Sequence, residues 1–258
     1  MTLAFDHVTF GYTDKPVLRA AHASFAPGRV TALVGPNGSG KSTMLRLLAA
    51  LREPASGSVT LDGAVVACLP RQERVRRLVY VPQQSSVAFD YTCAQIVAMG
   101  AHAAGRSDAG VESLLAEVGL GDRASDLFAT LSAGQQQRVT LARALAQLGP
   151  ADGSHRFLLA DEPVSAMDPR HAVQSLELIR ALAARGIGAV CVLHDLSMAL
   201  RVCDDVVMLG DSGRVVAAGP VREVLTAPRL SALYGIGFDP LTNACGNIGG
   251  FVPAATSS

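Results

Sequence analysis

The sequence predicts an α/β fold. Three junctions predict it, each a short apolar run that gives way to a turn and then to helical periodicity. The first is RVTALV (residues 29–34), β-branched and apolar, which runs into a glycine cluster and then STMLRLLAAL. The second is RFLLADEP (residues 156–163), which ends in two acids. The third is GAVCVLHDLSMAL (residues 188–200), which reaches a histidine before its helical part. Runs of this length and composition suit buried strands, and ligands of open α/β sheets sit at strand carboxyl ends.

Composition narrows the class. The 258 residues suffice for one large domain or two small ones. Lys+Arg equals Asp+Glu at 22 each, so no net charge draws the chain toward nucleic acid or anionic lipid. Apolar residues reach 49%, yet no uninterrupted run approaches the roughly 18 residues of a membrane span. Asp6 and His7 interrupt the opening segment, so no signal peptide is expected. The five cysteines (Cys68, Cys93, Cys191, Cys203, Cys245) are scattered, with no C-x-x-C pair, and argue for a reduced protein without a zinc site.

The first junction carries the sharpest chemistry. Its turn, GPNGSGKST, comprises Gly35, Pro36, Asn37, Gly38, Ser39, Gly40, Lys41, Ser42 and Thr43. It fills the pattern G-x-x-x-x-G-K-[ST], strand before and helix after. Glycines let backbone N–H groups curl around phosphate oxygens, and the following helix N-terminus adds partial positive charge. Lys41 is placed to reach β- and γ-phosphates, and the Ser42 hydroxyl to ligate Mg²⁺. Met44, Leu45, Leu48 and Leu51 are expected on one helical face.

At the second junction Asp161 is expected at a strand's carboxyl end, holding Mg²⁺ directly or through water. Glu162 follows and is placed to polarise an attacking water as a general base. At the third, His194 is a candidate γ-phosphate sensor able to bond phosphate and Glu162 together, and Asp195 is positioned to cap the next helix.

The segment LSAGQQQRVTLARALAQL (residues 131–148) resembles the signature motif of the ATP-binding cassette family, normally LSGGQ. With GPNGSGKST, DEPVSAMD and VLHD, the family's motif set stands in order from Leu3 to about Tyr234. The resemblance implies a RecA-like α/β P-loop core with an antiparallel β subdomain and an inserted helical subdomain at about 86–147. It implies ATP and Mg²⁺ as ligands. Tyr12 matches the aromatic that stacks on adenine. Gln83 in YVPQQ, with Gln84 adjacent, matches the glutamine that reaches Mg²⁺ and the attacking water. Ser132, Ala133, Gly134 and Gln135 match the signature that meets ATP from a second copy of the chain, and Asp168 ends the D-loop. Three positions depart from the pattern: Ala133 replaces a glycine, and Val164 and Met167 replace threonine and leucine.

The rest reads as support. Asp168-Pro169 is a helix start, with Gly186 past its end and Ala172, Leu176, Ile179 and Ala183 on a core face. RQERVRR (residues 71–77) reads as a solvated helix face, and GAHAAGRSDAG (residues 100–110) as a loop breaking the helical segment. Residues 1–235 form the nucleotide-binding domain in this reading, with 236–258 a loosely ordered tail. No repeat suggests a second cassette.

No heptad run marks a repair-type cassette and no fused span marks an exporter, so the resemblance implies an importer subunit. Its partners would be a second copy, a separate permease dimer and, indirectly, a substrate-binding protein, at the cytoplasmic face of the cell membrane. The Q-loop region and the long loop LGPADGSHR (residues 148–156) resemble ATPases serving heme, ferric siderophore and cobalamin importers. Heme is the first expectation, then siderophore, cobalamin or a divalent metal. A soluble repair, translation or signalling ATPase is the other class.

Overall fold

Two large sheets, a two-stranded one and a layer of helices make up this computed structural model, which describes residues 2–13, 15–84, 87, 89–108, 110–150, 153–242 and 246–254. The N-terminal strands β1 (Leu3–Gly11) and β2 (Pro16–Phe25) pair antiparallel, and β4 (Ser56–Leu61) and β5 (Ala64–Val65) extend them in the order β2-β1-β4-β5. The larger sheet takes β3 (Val30–Val34), β6 (Leu78–Val81), β7 (Phe157–Ala160), β8 (Gly188–Val192), β9 (Asp205–Leu209) and β10 (Val215–Pro220), in the order β10-β9-β3-β8-β7-β6. All its pairs are parallel except β10 with β9. The carboxyl ends of β3, β6, β7 and β8 therefore open on one edge.

Alternation along the strands sorts the core. Leu33, Leu159, Val190 and Val207 face the antiparallel sheet and α1 (Lys41–Leu48). Ala32, Val34, Leu158, Ala160 and Cys191 face the opposite layer, with α6 (Pro169–Ala184) packed there. Strands buried on both faces need no polar alternation, which is why they read as continuous apolar runs. Each fully buried leucine among them contributes roughly 1.5–3 kcal/mol.

The remaining helices are α2 (Arg71–Arg77), α3 (Cys93–Ala103), α4 (Val111–Glu117), α5 (Ala133–Leu148), α7 (Leu196–Val202), α8 (Val221–Val224) and α9 (Ala227–Tyr234). Helices α3, α4 and α5 occupy the segment expected to be helical; its first residue, Ser86, lies outside the described residues.

Three expectations need correction. The loop expected from residue 100 starts later, because Gly100 is inside α3: a Cβ there would stand 2.1 Å from the Arg143 carbonyl, so the glycine serves close helix packing. Leu51 is not on the α1 face. The helix ends at Leu48, Ala50 turns left-handed (φ 51°), and Leu51 is exposed. The tail is not loose where described. Strands β11 (Phe238–Thr242) and β12 (Ile248–Pro253) form an antiparallel hairpin against α7, with Phe251 buried in the main core. Its glycines hide the strand signal; Phe238, Ile248, Phe251 and Val252 supply it. Cys245 and residues 255–258 lie outside the described residues.

The basic run is only in part a solvated face. Arg71 is exposed, but Arg76 donates to the Ala104 carbonyl (2.8 Å) and Arg77 bonds Asp62, Glu73 and the His155 carbonyl. Arg156, buried, likewise bonds the carbonyls of Leu148 and Pro150 and ties down the long loop; Ala151 and Asp152 of that loop lie outside the described residues.

Candidate functional site

The site grows from the open edge of the parallel sheet. After β3 the chain turns through residues 35–40 and enters α1 from Gly40, whose left-handed backbone (φ 101°) suits a residue without Cβ. At Gly35 a Cβ would stand 2.2 Å from the Leu209 carbonyl. Helix α1 has no side-chain cap and no acid in its first turn, so its leading N–H groups face the loop uncovered. Pro36, Asn37, Gly38 and Ser39 complete the curve, and the buried Ser39 hydroxyl oxygen has no protein partner. Lys41 is buried, and its Nζ donates to the carbonyls of Gly35 and Pro36, 2.8 Å each. Burial pulls its pKa down, while the carboxylates of Glu162 and Asp161 oppose the shift. A desolvated ammonium, a helix start without a cap and an orphan hydroxyl together fit a polyphosphate.

The acids arrive from β7. Asp161 is buried, and its amide donates to Val81 of β6 (2.9 Å). Its carboxylate accepts from the Ser42 hydroxyl (2.9 Å) and the Tyr80 hydroxyl (3.2 Å). Burial and the Asp161 charge push the Tyr80 pKa up and keep it a donor. Ser42 and Asp161 thus offer hard oxygen ligands side by side, a donor set that fits Mg²⁺.

Glu162 turns left-handed at φ 50°, an uncommon conformation for a side-chain residue. The turn sends its carboxylate between an amide and an imidazole. Gln83 Nε2 donates to Glu162 Oε2 (2.8 Å), and His194 Nε2 lies 2.8 Å from Glu162 Oε1. Of the adjacent glutamines, Gln83 is the one whose amide meets the acid. Asp195 caps α7, accepting from the amides of Ser197 and Met198, and this fixes the start of the segment that carries His194. Tyr12 flanks the loop, half exposed; its hydroxyl lies 3.4 Å from Thr43 Oγ1 and accepts from Arg46 (3.2 Å). The Thr43 bond, then Arg46, lowers its pKa.

The signature residues form a second, separate group. Ser132 caps α5 in a capping box: its hydroxyl accepts from the Gln135 amide (3.3 Å), and the Gln135 side chain accepts from the Ser132 amide (2.9 Å). Ala133 is exposed, so its methyl meets no neighbour in the chain that a glycine would be needed to avoid. Gly134 is the demanding position: a Cβ there would stand 2.6 Å from the Ala166 carbonyl. Val164 packs against the main core, and the Met167 sulfur accepts from Ser175 (3.3 Å), so both departures are absorbed by packing. Asp168 caps α6 through the His171 amide (3.1 Å) and meets the His171 ring at 2.5 Å, which lowers its pKa.

Sequence reading missed Gln137, which joins the two groups. Its amide nitrogen donates to the Glu162 carbonyl (3.1 Å), Ser165 Oγ (3.3 Å) and the Gln83 carbonyl (3.4 Å), and its oxygen accepts from the Ala166 amide (3.1 Å). The signal was available: Gln137 shares the α5 face of Leu141, Ala144 and Leu148, a polar residue at a core position.

Residues 18–165 match the ABC transporter family model. The chain belongs to the ABC transporter family. Among curated relatives of this ABC chain, the hemin import ATP-binding protein HmuV of Pseudomonas entomophila (strain L48) is 41% identical over 224 residues, covering 85% of this chain and 87% of that one. The cobalamin import ATP-binding protein BtuD of Halobacterium salinarum (strain ATCC 29341 / DSM 671 / R1) is 39% identical over 255 residues, 95% of this chain and 62% of that one. Among solved structures, a dimeric ATP-binding cassette in a post-hydrolysis state with ADP and Pi superposes with a TM-score of 0.75 at 26% identity, covering 85% of this chain and 99% of that one. As an ABC protein the chain brings the P-loop, both acids, Gln83 and His194 to one sheet edge, while residues 132–135 begin α5, where Ala133 shares a cleft with Gln83, Gln137 and Ser165.

Proposed function

We propose that this chain is the ATP-hydrolysing subunit of an importer for an iron chelate, heme foremost. The observation that carries the reading is the carboxylate of Glu162, held between Gln83 and His194 beside the Ser42–Asp161 pair. In this reading Glu162 takes a proton from the attacking water, Gln83 orients that water, and His194 holds Glu162 and senses the γ-phosphate. Lys41 and the P-loop amides bind the β- and γ-phosphates, and Tyr12 stacks on adenine. Ser42 and Asp161, with Gln83, would hold Mg²⁺, which when bound supplies charge neutralisation at the phosphates.

The chain works as a head-to-tail homodimer, with Ser132, Ala133, Gly134 and Gln135 of one copy closing on the ATP of the other and Asp168 lining the interface. Because the two copies share the γ-phosphate, hydrolysis removes the contact and opens the pair. A membrane permease dimer, fed by a substrate-binding protein, receives that motion at the cytoplasmic face of the membrane. Among the described residues no helix is long and apolar enough to cross a membrane, so in this reading the spans belong to the permease. The docking stretch is residues 84–91, where Phe89 is 70% exposed and meets Tyr91 edge-on at 6.1 Å. Ser85, Ser86 and Ala88 of that stretch lie outside the described residues.

Heme is favoured by the HmuV relative; cobalamin is the second reading, on the BtuD relative. The test reconstitutes the chain with its permease and binding protein in proteoliposomes and measures ATP hydrolysis with heme, ferric siderophore or cobalamin loaded. Stimulation by heme alone is expected. Stimulation by cobalamin alone selects the second reading, and no hydrolysis under any condition contradicts an importer ATPase.

A further inference from the structure

On the antiparallel sheet, far along the chain from the acids of β7, the pairing of β1 with β2 breaks register. Phe5 pairs with Ala23 and Val8 with Ala21. Two residues of β1, Asp6 and His7, therefore stand opposite the single residue His22 of β2. This is a β-bulge, and its extra residue undoes the alternation that sends neighbouring side chains to opposite faces. Asp6, His7 and His22 are all exposed, and their ligand atoms lie within 4.8 Å of one another. His22 Nδ1 is 3.7 Å from Asp6 Oδ1, His7 Nε2 is 3.9 Å from the same oxygen, and the two imidazole centroids are 5.4 Å apart.

The backbone holds this arrangement at a cost. His7 has φ 48°, a left-handed conformation that a side-chain residue adopts only where its surroundings fix it. Gly57 of β4 is the fixing neighbour: a Cβ there would stand 2.5 Å from the carbonyls of both Asp6 and His7. Neither ring is used in the core, and the nucleotide chemistry leaves both unassigned.

We propose that Asp6, His7 and His22 form a surface site for a divalent transition-metal ion of the Zn²⁺ class. Two imidazoles and one carboxylate are ligands such an ion takes at about 2.0–2.2 Å, which sets tetrahedral ligand atoms about 3.4 Å apart. Each imidazole needs to close on the carboxylate by only about half an ångström, and the two imidazole donors, within 4.8 Å of one another, by at most about 1.4 Å, within reach of exposed side-chain rotation. Imidazole nitrogen selects Zn²⁺ or Cu²⁺ over Mg²⁺, so this site and the hard-oxygen pair Ser42–Asp161 take different ions.

The test titrates Zn²⁺ by calorimetry into the full chain in excess Mg²⁺. A one-to-one binding step is expected, lost in His22→Gln and in His7→Asn and weakened in Asp6→Asn. Asparagine is chosen at residue 7 because it tolerates the left-handed backbone. Unchanged melting temperature without metal, and unchanged nucleotide binding, show that the variants fold. With Cu²⁺, electron paramagnetic resonance should show two coordinated imidazole nitrogens in the wild type and one in each histidine variant. No one-to-one step in the wild type overturns the proposal. So does a step that survives both histidine substitutions, which would put the ion on another pair such as His102–Asp108.

Discussion

The P-loop edge and the start of α5 are both helix N-termini, but they are built in opposite ways. At the P-loop the helix has no cap, its lysine is buried against carbonyls, and the acids are cross-bonded to Gln83, His194, Ser42 and Tyr80. At α5 a capping box closes on itself, Ala133 lies open to solvent, and among the described residues no hydrogen bond of the cap reaches the P-loop. One group is dense and fixed from several strands. The other is a single helix end whose bonds are local. The difference matches the proposed division of labour, in which the first group holds the phosphates and the second closes on a second copy.

Breaking the dense group should cost most. Glu162→Gln removes the acid held by both Gln83 and His194, and phosphate release should fall by about 10²–10⁴-fold while nucleotide binding persists. A wild-type rate would take Glu162 out of the base role. Lys41→Ala comes next: losing charged bonds of about 1.5–3 kcal/mol should weaken ATP binding by roughly 10–100-fold, read with a fluorescent nucleotide. Affinity unchanged would mean the ammonium stays on its carbonyls when nucleotide binds.

The α5 group is broken more gently and by shape. Gly134→Ala puts a methyl against the Ala166 carbonyl and should lower stability by about 1–3 kcal/mol in urea unfolding. Ala133→Gly, at an exposed position, should stay within about 0.5 kcal/mol. Equal effects would show that the two positions are not sterically distinct.

The dense group was legible in the sequence because its residues follow buried strands: Gly35 to Thr43 after β3, Asp161 and Glu162 after β7, His194 after β8. Strand pattern gives their edge, and the P-loop spacing gives their chemistry. What stayed hidden depends on partners distant along the chain. Gln137 matters through contacts with Gln83 and Glu162, at separations of 54 and 25 residues. Gly100 read as a loop glycine until Arg143 supplied the close approach, and the C-terminal hairpin was masked by glycines whose strands find each other only in three dimensions.

In the proposed dimer the P-loop of one copy meets Ser132 to Gln135 of the other across ATP. Sedimentation velocity of Glu162→Gln measures it most directly. With ATP the protein should run as a dimer, and the dimer should disappear with ADP or when Ser132→Arg is added to the same chain. A chain that stays monomeric with ATP while the wild type hydrolyses it at full rate, indifferent to Ser132→Arg, would contradict the claim.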